Sequence, residues 1–227
     1  MADSPKEPRQ QIRRDDHGRI RERKFILHGK PEGEYVSYFE NGRAMVRMTF
    51  RDGRREGEAL SFYRDGRIRE KGFFKNDKPE GEYLSWYEDG GLHEREFYQN
   101  GLLDGSYVFY FRNGRIRDEE NFRMGKLEGE YRSYYKSGRL KERGAFRNDR
   151  RDGEYEAFDR EGRLREKAVY RNGKLVGKFL TFGANEAAAG GTNGDDGAAR
   201  DGIEDEREGN KKVVDNLLKD LQNFNHS

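Results

Sequence analysis

The sequence predicts an all-β fold: an elongated, single-layer antiparallel β-meander of about seven 24-residue hairpin repeats, with a short C-terminal α-helix. Three observations predict it. Gly recurs at 33, 57, 81, 105, 129, 153 and 177, every interval being 24 residues. Two further turn markers keep the same phase: glycine at 18, 42, 66, 90, 114, 138 and 162, and the series Gly29, Gly53, Asp77, Gly101, Gly125, Asp149, Gly173. Between the markers lie short segments of rings and alternating charge, the composition of strands rather than helices.

Residues 1–17, with Pro5 and Pro8, read as a flexible arm. The array follows over 18–182. In each unit one segment opens on Gly-Glu-Tyr or a close variant and ends in two adjacent rings, as in Tyr38-Phe39, Phe62-Tyr63, Trp86-Tyr87, Tyr110-Phe111 and Tyr134-Tyr135. The other segment begins on an aliphatic residue such as Ile68 or Leu92 and carries Phe74 or Tyr98 six residues later. An even offset places both on one face of a strand. Arg69, Lys71 and Lys75 then take the opposite face. The ring pairs are expected to form one face of the sheet and the charged rows the other.

Asn113-Gly114, Asn172-Gly173, Asp65-Gly66 and Asp89-Gly90 are hairpin signals. Asp77 and Asp149 replace glycine after an Asn, and Asp is among the residues most tolerant of positive φ. Two strands per unit give about fourteen strands, a sheet roughly 65 Å across at ~4.8 Å spacing, which is expected to curl. A 24-residue unit is too short for a propeller blade, which needs about 40–45 residues.

Composition excludes several classes. The chain of 227 residues is 40% charged, but 46 Lys+Arg nearly cancel 44 Asp+Glu. Leu, Ile, Val and Phe make up under a fifth of it, too few for a thick-cored enzyme. The 15 Phe, 13 Tyr and single Trp argue against disorder, because disordered chains are poor in rings. No cysteine is present for disulfides, thiol nucleophiles or thiolate zinc sites. With no apolar run of ~18 residues and no apolar leader, a cytoplasmic location is expected.

At this point the residues carry a resemblance. The unit Gly-Glu-Tyr-x-Ser-Tyr-Tyr-x-Asn-Gly-Arg-Leu, then Phe-x-Asn-Gly-Lys-x-x-Gly, resembles MORN repeats, in the longer variant seen in YwqK-type antitoxin-family proteins and in large DNA viruses. The resemblance covers about residues 18–182. It implies an extended β-sheet with scaffold, protein-binding or membrane-associated roles, and in the viral case a location in the host cell or virion. It does not imply an enzyme. Ala59, Gly91, Asp159 and Lys178 depart from the pattern.

Beyond the array, 183–210 reads as a flexible Gly/Ala/acidic linker. Residues 183–227 hold ten acids against five bases, leaving 41 bases against 34 acids before them. Over 211–227, Val213, Val214, Leu217, Leu218, Leu221 and Phe224 share one face of an amphipathic helix. Such a helix covers the end of the sheet, docks on a partner or a second copy, or forms little by itself.

No catalytic, cofactor or metal site is expected. Ser37, Ser61, Ser85 and Ser133 hold one repeat position, but His17, His28, His93 and His226 fall at unrelated phases. A Ser-His nucleophile therefore lacks a repeated partner, and the histidines lack metal-ligand spacing. Glu-Gly-Glu words in successive units are expected to serve turns and cross-strand charge pairs, because catalysis needs one asymmetric site. Rings interleaved with Arg raise nucleic-acid binding, but acids lie close to almost every Arg and leave no basic stripe. Anionic membrane contact is weakened in the same way. The favoured partner is another protein, carried on a scaffold or, as the resemblance to antitoxin-family proteins implies, inhibited by this chain. It is expected to meet mid-array rings, Trp86, Tyr87, Tyr110, Phe111, Tyr134 and Tyr135, or the helix residues Val214, Leu217, Leu218, Leu221 and Phe224. Self-association through that helix or a sheet edge is the further expectation.

Overall fold

The computed structural model describes residues 7–183. Every regular element among them is a β-strand, and the 21 strands join one antiparallel sheet in which each strand, some of them in two pieces, pairs with the one before and the one after it. None of the described elements is a helix long and apolar enough to cross a membrane. The helix expected over 211–227, and the linker preceding it, lie outside the described residues.

Two turn types alternate, each demanded by its residues. The tighter one is a two-residue hairpin in which both central residues have positive φ, as at Asn76 (49°) and Asp77 (67°) or Asn172 (50°) and Gly173 (79°). This is the type I′ turn, whose twist matches that of the flanking strands. Asp77 and Asp149 thus sit where glycine usually does, and their side chains gain something glycine lacks. Asp77 Oδ1 accepts from the Arg55 N–H at 2.9 Å, and Asp149 Oδ1 from the Leu127 N–H at 2.9 Å. The equivalent partners of Gly53 and Gly101 are Pro31 and Pro79, which have no N–H to satisfy. The wider turn runs Phe39–Arg43, where Gly42 N–H donates to the Phe39 carbonyl at 3.0 Å and Phe39 N–H to the Arg43 carbonyl at 2.8 Å.

Three expectations are corrected here. Arg9–Arg14, expected as part of a flexible arm, is a strand paired with Ile20–Leu27. It holds the phase of Gly33–Tyr38 one period earlier and turns through Asp15 and Gly18, but its Arg and Gln side chains mask the repeat. The Gly33 series does not reverse the chain. In most units it interrupts the first strand, between pieces such as Lys78–Pro79 and Gly81–Trp86, at positive φ (76° at Gly81), whereas Arg54–Phe62 runs on through Gly57. Finally, the second strand of each unit carries a β-bulge. Leu92 pairs with Trp86 and Glu94 with Ser85, leaving His93 as the extra residue. A bulge breaks the alternation of faces. Ile68 and Leu92 therefore lie on the face opposite Phe74 and Tyr98, although their offset is even.

The buried face is built from cross-strand rows. One reads Ser61, Glu70, Ser85, Glu94, Phe109, Asp118, Ser133, Glu142, Ala157, each directly opposite the next. A neighbouring row carries Tyr35, Tyr83, Tyr107, Tyr131 and Tyr155. These rings meet Phe50, Tyr98, Phe122, Phe146 and Tyr170 edge-on at centroid distances of 5.9–6.3 Å. Such pairs add ~0.5–1.5 kcal/mol each beyond their area. Tyr83 lies directly over Gly72, where a Cβ would come within 2.3 Å of its ring. Ring-on-glycine packing replaces the aliphatic core that the composition lacks.

Candidate interaction surface

The sheet has two faces of different chemistry, and the expected contact rings divide between them. Tyr35 and Ser37 point to the buried face, so Tyr38 points away. Trp86, Tyr110 and Tyr134 share that outer face, opposite Leu92, Ile116 and Leu140 respectively. Tyr87, Phe111 and Tyr135 turn toward the other side. The idea that ring pairs build one face is thus overturned by simple alternation along a strand.

The inner members are occupied structurally. Tyr63 Oη donates to the Trp86 carbonyl at 2.6 Å, Tyr87 Oη to the Tyr110 carbonyl at 2.6 Å, and Tyr135 Oη to the Phe158 carbonyl at 2.8 Å. Each ties one turn to the next unit. Burial holds the Tyr63 and Tyr87 hydroxyls above the usual tyrosine range. Phe39 and Phe111 stand at the same position without a hydroxyl.

The outer face carries two files of side chains. Its first file comprises Tyr38, Phe62, Trp86, Tyr110, Tyr134 and Phe158, all half-buried, with an aliphatic residue opposite each except Tyr38, which faces Ala44. Beside it runs a second file that alternates aliphatic and basic residues: Ile12, Arg23, Val36, Arg47, Leu60, Lys71, Leu84, Arg95, Val108, of which Val36 is fully buried. The bases pair with the second Glu of the Gly-Glu-Tyr words. Arg23 reaches Glu34 at 2.6 Å, Lys71 reaches Glu58 at 2.6 Å, and Arg95 reaches Glu82 at 2.7 Å. The Glu before the glycine serves a turn: Glu56 accepts from the Asn76 N–H at 3.0 Å and Glu80 from the Asn100 N–H at 2.8 Å. Both roles match the expectation for these carboxylates. At the C-terminal end Val176, Phe179, Leu180 and Phe182 are exposed beside the two-residue strand Leu180–Thr181.

On the buried face the structure brings together residues that the sequence kept apart. Ser85 Oγ lies 3.3 Å from His93 Nδ1 and 3.5 Å from Glu94 Oε2. A nucleophilic triad needs the acid on the far nitrogen of the His, whereas Glu94 contacts the serine itself. Other units repeat the motif with a different base: Arg69 Nε lies 3.3 Å from Ser61 Oγ, which donates to Glu70 at 3.1 Å. Ser133 donates to Glu142 at 3.2 Å, and Tyr131 and Tyr155 add their hydroxyls at 2.9 and 3.0 Å. The arrangement is a polar ladder that satisfies buried groups. His93 packs between Tyr87 and Phe109, at 4.3 and 4.7 Å, and burial lowers its pKa to about 4. Among the described residues no group of three or more His, Cys, Asp or Glu could hold a metal ion.

Sequence reasoning missed the buried carboxylates and the aliphatic partners of the outer rings. The phase of Glu70, Glu94 and Glu142 was visible, but the bulge that aims them inward was not. Val214, Leu217, Leu218, Leu221 and Phe224 lie outside the described residues.

One comparison with known proteins, the family match, fits this architecture. The family described as "MORN repeat variant" matches at residues 55–76, 79–100, 127–148 and 151–172. No curated protein matches. Among solved structures, one titled "Crystal structure of GtfA/B complex bound to UDP and GlcNAc" matches at 12% identity and a TM-score of 0.17, over 60% of this chain and 24% of that one. The matched segments keep one 24-residue phase, and the intervening 103–124 has the same strands and turns. The chain is a MORN repeat protein of the variant type.

Proposed function

We propose that the array is a non-enzymatic scaffold that binds another protein through the outer face of its sheet. The observation that carries this reading is the half-open file of Trp86, Tyr110 and Tyr134 with Leu92, Ile116 and Leu140, in which Tyr134 is held by its hydroxyl's bond to Glu119 at 2.8 Å while its ring stays half-buried. Rings at the centre of a surface dominate binding energy when a partner desolvates them. The recurrence of the Ser–Glu contact at Ser61, Ser85 and Ser133 supports a structural part for these groups, since a reaction needs one site unlike its neighbours.

The test compares capture of partners by the wild-type chain with capture by a Trp86→Ser, Tyr110→Ser, Tyr134→Ser variant. Circular dichroism and melting must show that both are folded. Proteins retained by the first and lost from the second support the reading. Equal capture by both sinks it.

A second reading, contact with an anionic membrane surface, is favoured by the alternating aliphatic and basic file from Ile12 to Val108. The Glu partners of Arg23, Lys71 and Arg95 weaken it, because each base near a membrane contributes only about 1 kcal/mol. Sedimentation with phosphatidylserine vesicles across a salt series separates the two readings, and no binding at low salt removes this one.

A further inference from the structure

Two carboxyls in the middle of the buried face have no ion-pair partner, although the charge of Arg117 acts on Glu94 from a distance. Glu94 is 1% exposed and Glu96 is 3% exposed, two residues apart on Leu92–Gln99. Their contacts are hydroxyls: Tyr107 and Ser85 for Glu94, at 3.3 and 3.5 Å, and Tyr98 for Glu96, at 2.7 Å. Among the described residues neither forms an ion pair. Two other acids on this face differ in this respect: Glu22 lies 3.4 Å from Arg13 and 3.2 Å from Lys24, and Glu70 lies 3.5 Å from Arg69. Glu142 resembles the pair in taking hydroxyl partners, from Tyr131, Ser133 and Tyr155, but it stands without a second such acid two residues away.

The groups that face the pair come from five strands. Their own strand supplies His93 and Tyr98. Gly81–Trp86 supplies Tyr83 and Ser85, and Gly105–Tyr110 supplies Tyr107. Beyond these stand Glu70 with Arg69 on one side, and Asp118 and Glu120 with Arg117 on the other. Arg69 is engaged with Glu70 at 3.5 Å and Arg117 with Asp118 at 2.7 Å. Arg95, on the same strand, points to the outer face and Glu82.

We infer that Leu92–Gln99 is a pH-sensitive seam in the array: charging Glu94 and Glu96 loosens its pairing with Gly81–Trp86 and Gly105–Tyr110 and uncouples the units on either side. Each strand of a linear repeat contacts only its neighbours, so one weakened strand separates two blocks that stay paired. Burial raises the Glu94 carboxyl to about 7 and the Glu96 carboxyl to about 8, from 4.5, and Glu94 adds to the rise at Glu96. A raised carboxyl favours the fold fully below pH ~4.5, and that contribution is lost as pH climbs through its folded value. The loss therefore runs from about pH 4.5 to about pH 8, and its last part, carried mainly by Glu96, falls above pH 6.5. His93 acts at the other end: lowered to about 4, it disfavours the fold only as pH drops below ~6.5.

Hydrogen exchange of the full chain at pH 6.5 and 8.5, corrected for the intrinsic rate of amide exchange, tests this. Protection over 81–110 is expected to fall by roughly ten- to a hundred-fold at the higher pH, with 33–62 and 140–171 changing far less. Glu96→Gln, and the double variant Glu94→Gln/Glu96→Gln, are expected to flatten that change, while Glu82→Gln on the outer face is expected to keep it. Should the double variant fail to fold, the single one and the wild-type profile still decide. Unchanged protection over 81–110, an even loss across all units, or the same loss in Glu96→Gln overturns the inference.

Discussion

Phe111 and Tyr135 occupy the same position in neighbouring units, yet only Tyr135 donates to the next unit, at the Phe158 carbonyl. Replacing Phe111 with Tyr places a hydroxyl toward the Tyr134 carbonyl. A gain of about 0.5–1.5 kcal/mol is expected from the added hydrogen bond, and removing the hydroxyl with Tyr135→Phe is expected to lose a similar amount. Denaturant midpoints of the two variants check both signs. Gly72 and Gly144 are a second matched pair. A Cβ at Gly72 would meet the buried Tyr83 ring at 2.3 Å, but at Gly144 nothing comes nearer than 3.6 Å. Gly72→Ala is therefore expected to destabilise by about 1–3 kcal/mol, and Gly144→Ala to be tolerated. Equal melting temperatures for the two would contradict the packing described. Both contrasts rest on repeat phase, which the sequence displays. The distances that make one glycine strict and the other lenient come only from the folded pairing.

A strand–turn unit depends on the match between each tight turn and the unit before it. Asp149 holds positive φ at 65° and accepts the Leu127 N–H. Asp149→Ala keeps the strained backbone and leaves that N–H without its acceptor. About 1–3 kcal/mol of stability is expected to be lost, and Asp149→Asn, which tolerates positive φ and still accepts, is expected to lose much less. Thermal melts of the two variants test this. The turns were legible because residues that tolerate positive φ are few. Asn172-Gly173 and the Asp77 and Asp149 substitutions pointed to them directly. The bulge at His93 was not legible. Its phase holds Arg69, His93 and Arg117, which share no property that marks an extra residue. An even offset then misled the assignment of faces for Ile68 and Leu92.

Over the whole array, register is the constraint that all units share. Deleting 103–126 removes one period and joins Leu102 to Leu127 in phase. The shortened chain is expected to fold with an undiminished strand signature per residue and an m-value lower by about one seventh, since m follows the surface buried. Deleting one residue fewer, 104–126, shifts every later side chain to the wrong face and is expected to prevent folding of the C-terminal units. Far-ultraviolet circular dichroism with urea titration distinguishes them. Equal behaviour of both deletions would show that register does not govern this sheet.

The repeat length, the strand-and-turn class, the two turn chemistries and the structural use of the Glu words were determined by the sequence alone. Each depends on local backbone preference or on periodicity, and both are written in residue order. Tertiary structure decided which side chains share a face, which rings stay open, and which carboxyls are buried without a base. Those outcomes depend on bulges and on pairing between residues some 9 to 23 positions apart. One extra residue per strand moves a side chain from solvent to the buried face, and no local preference announces it.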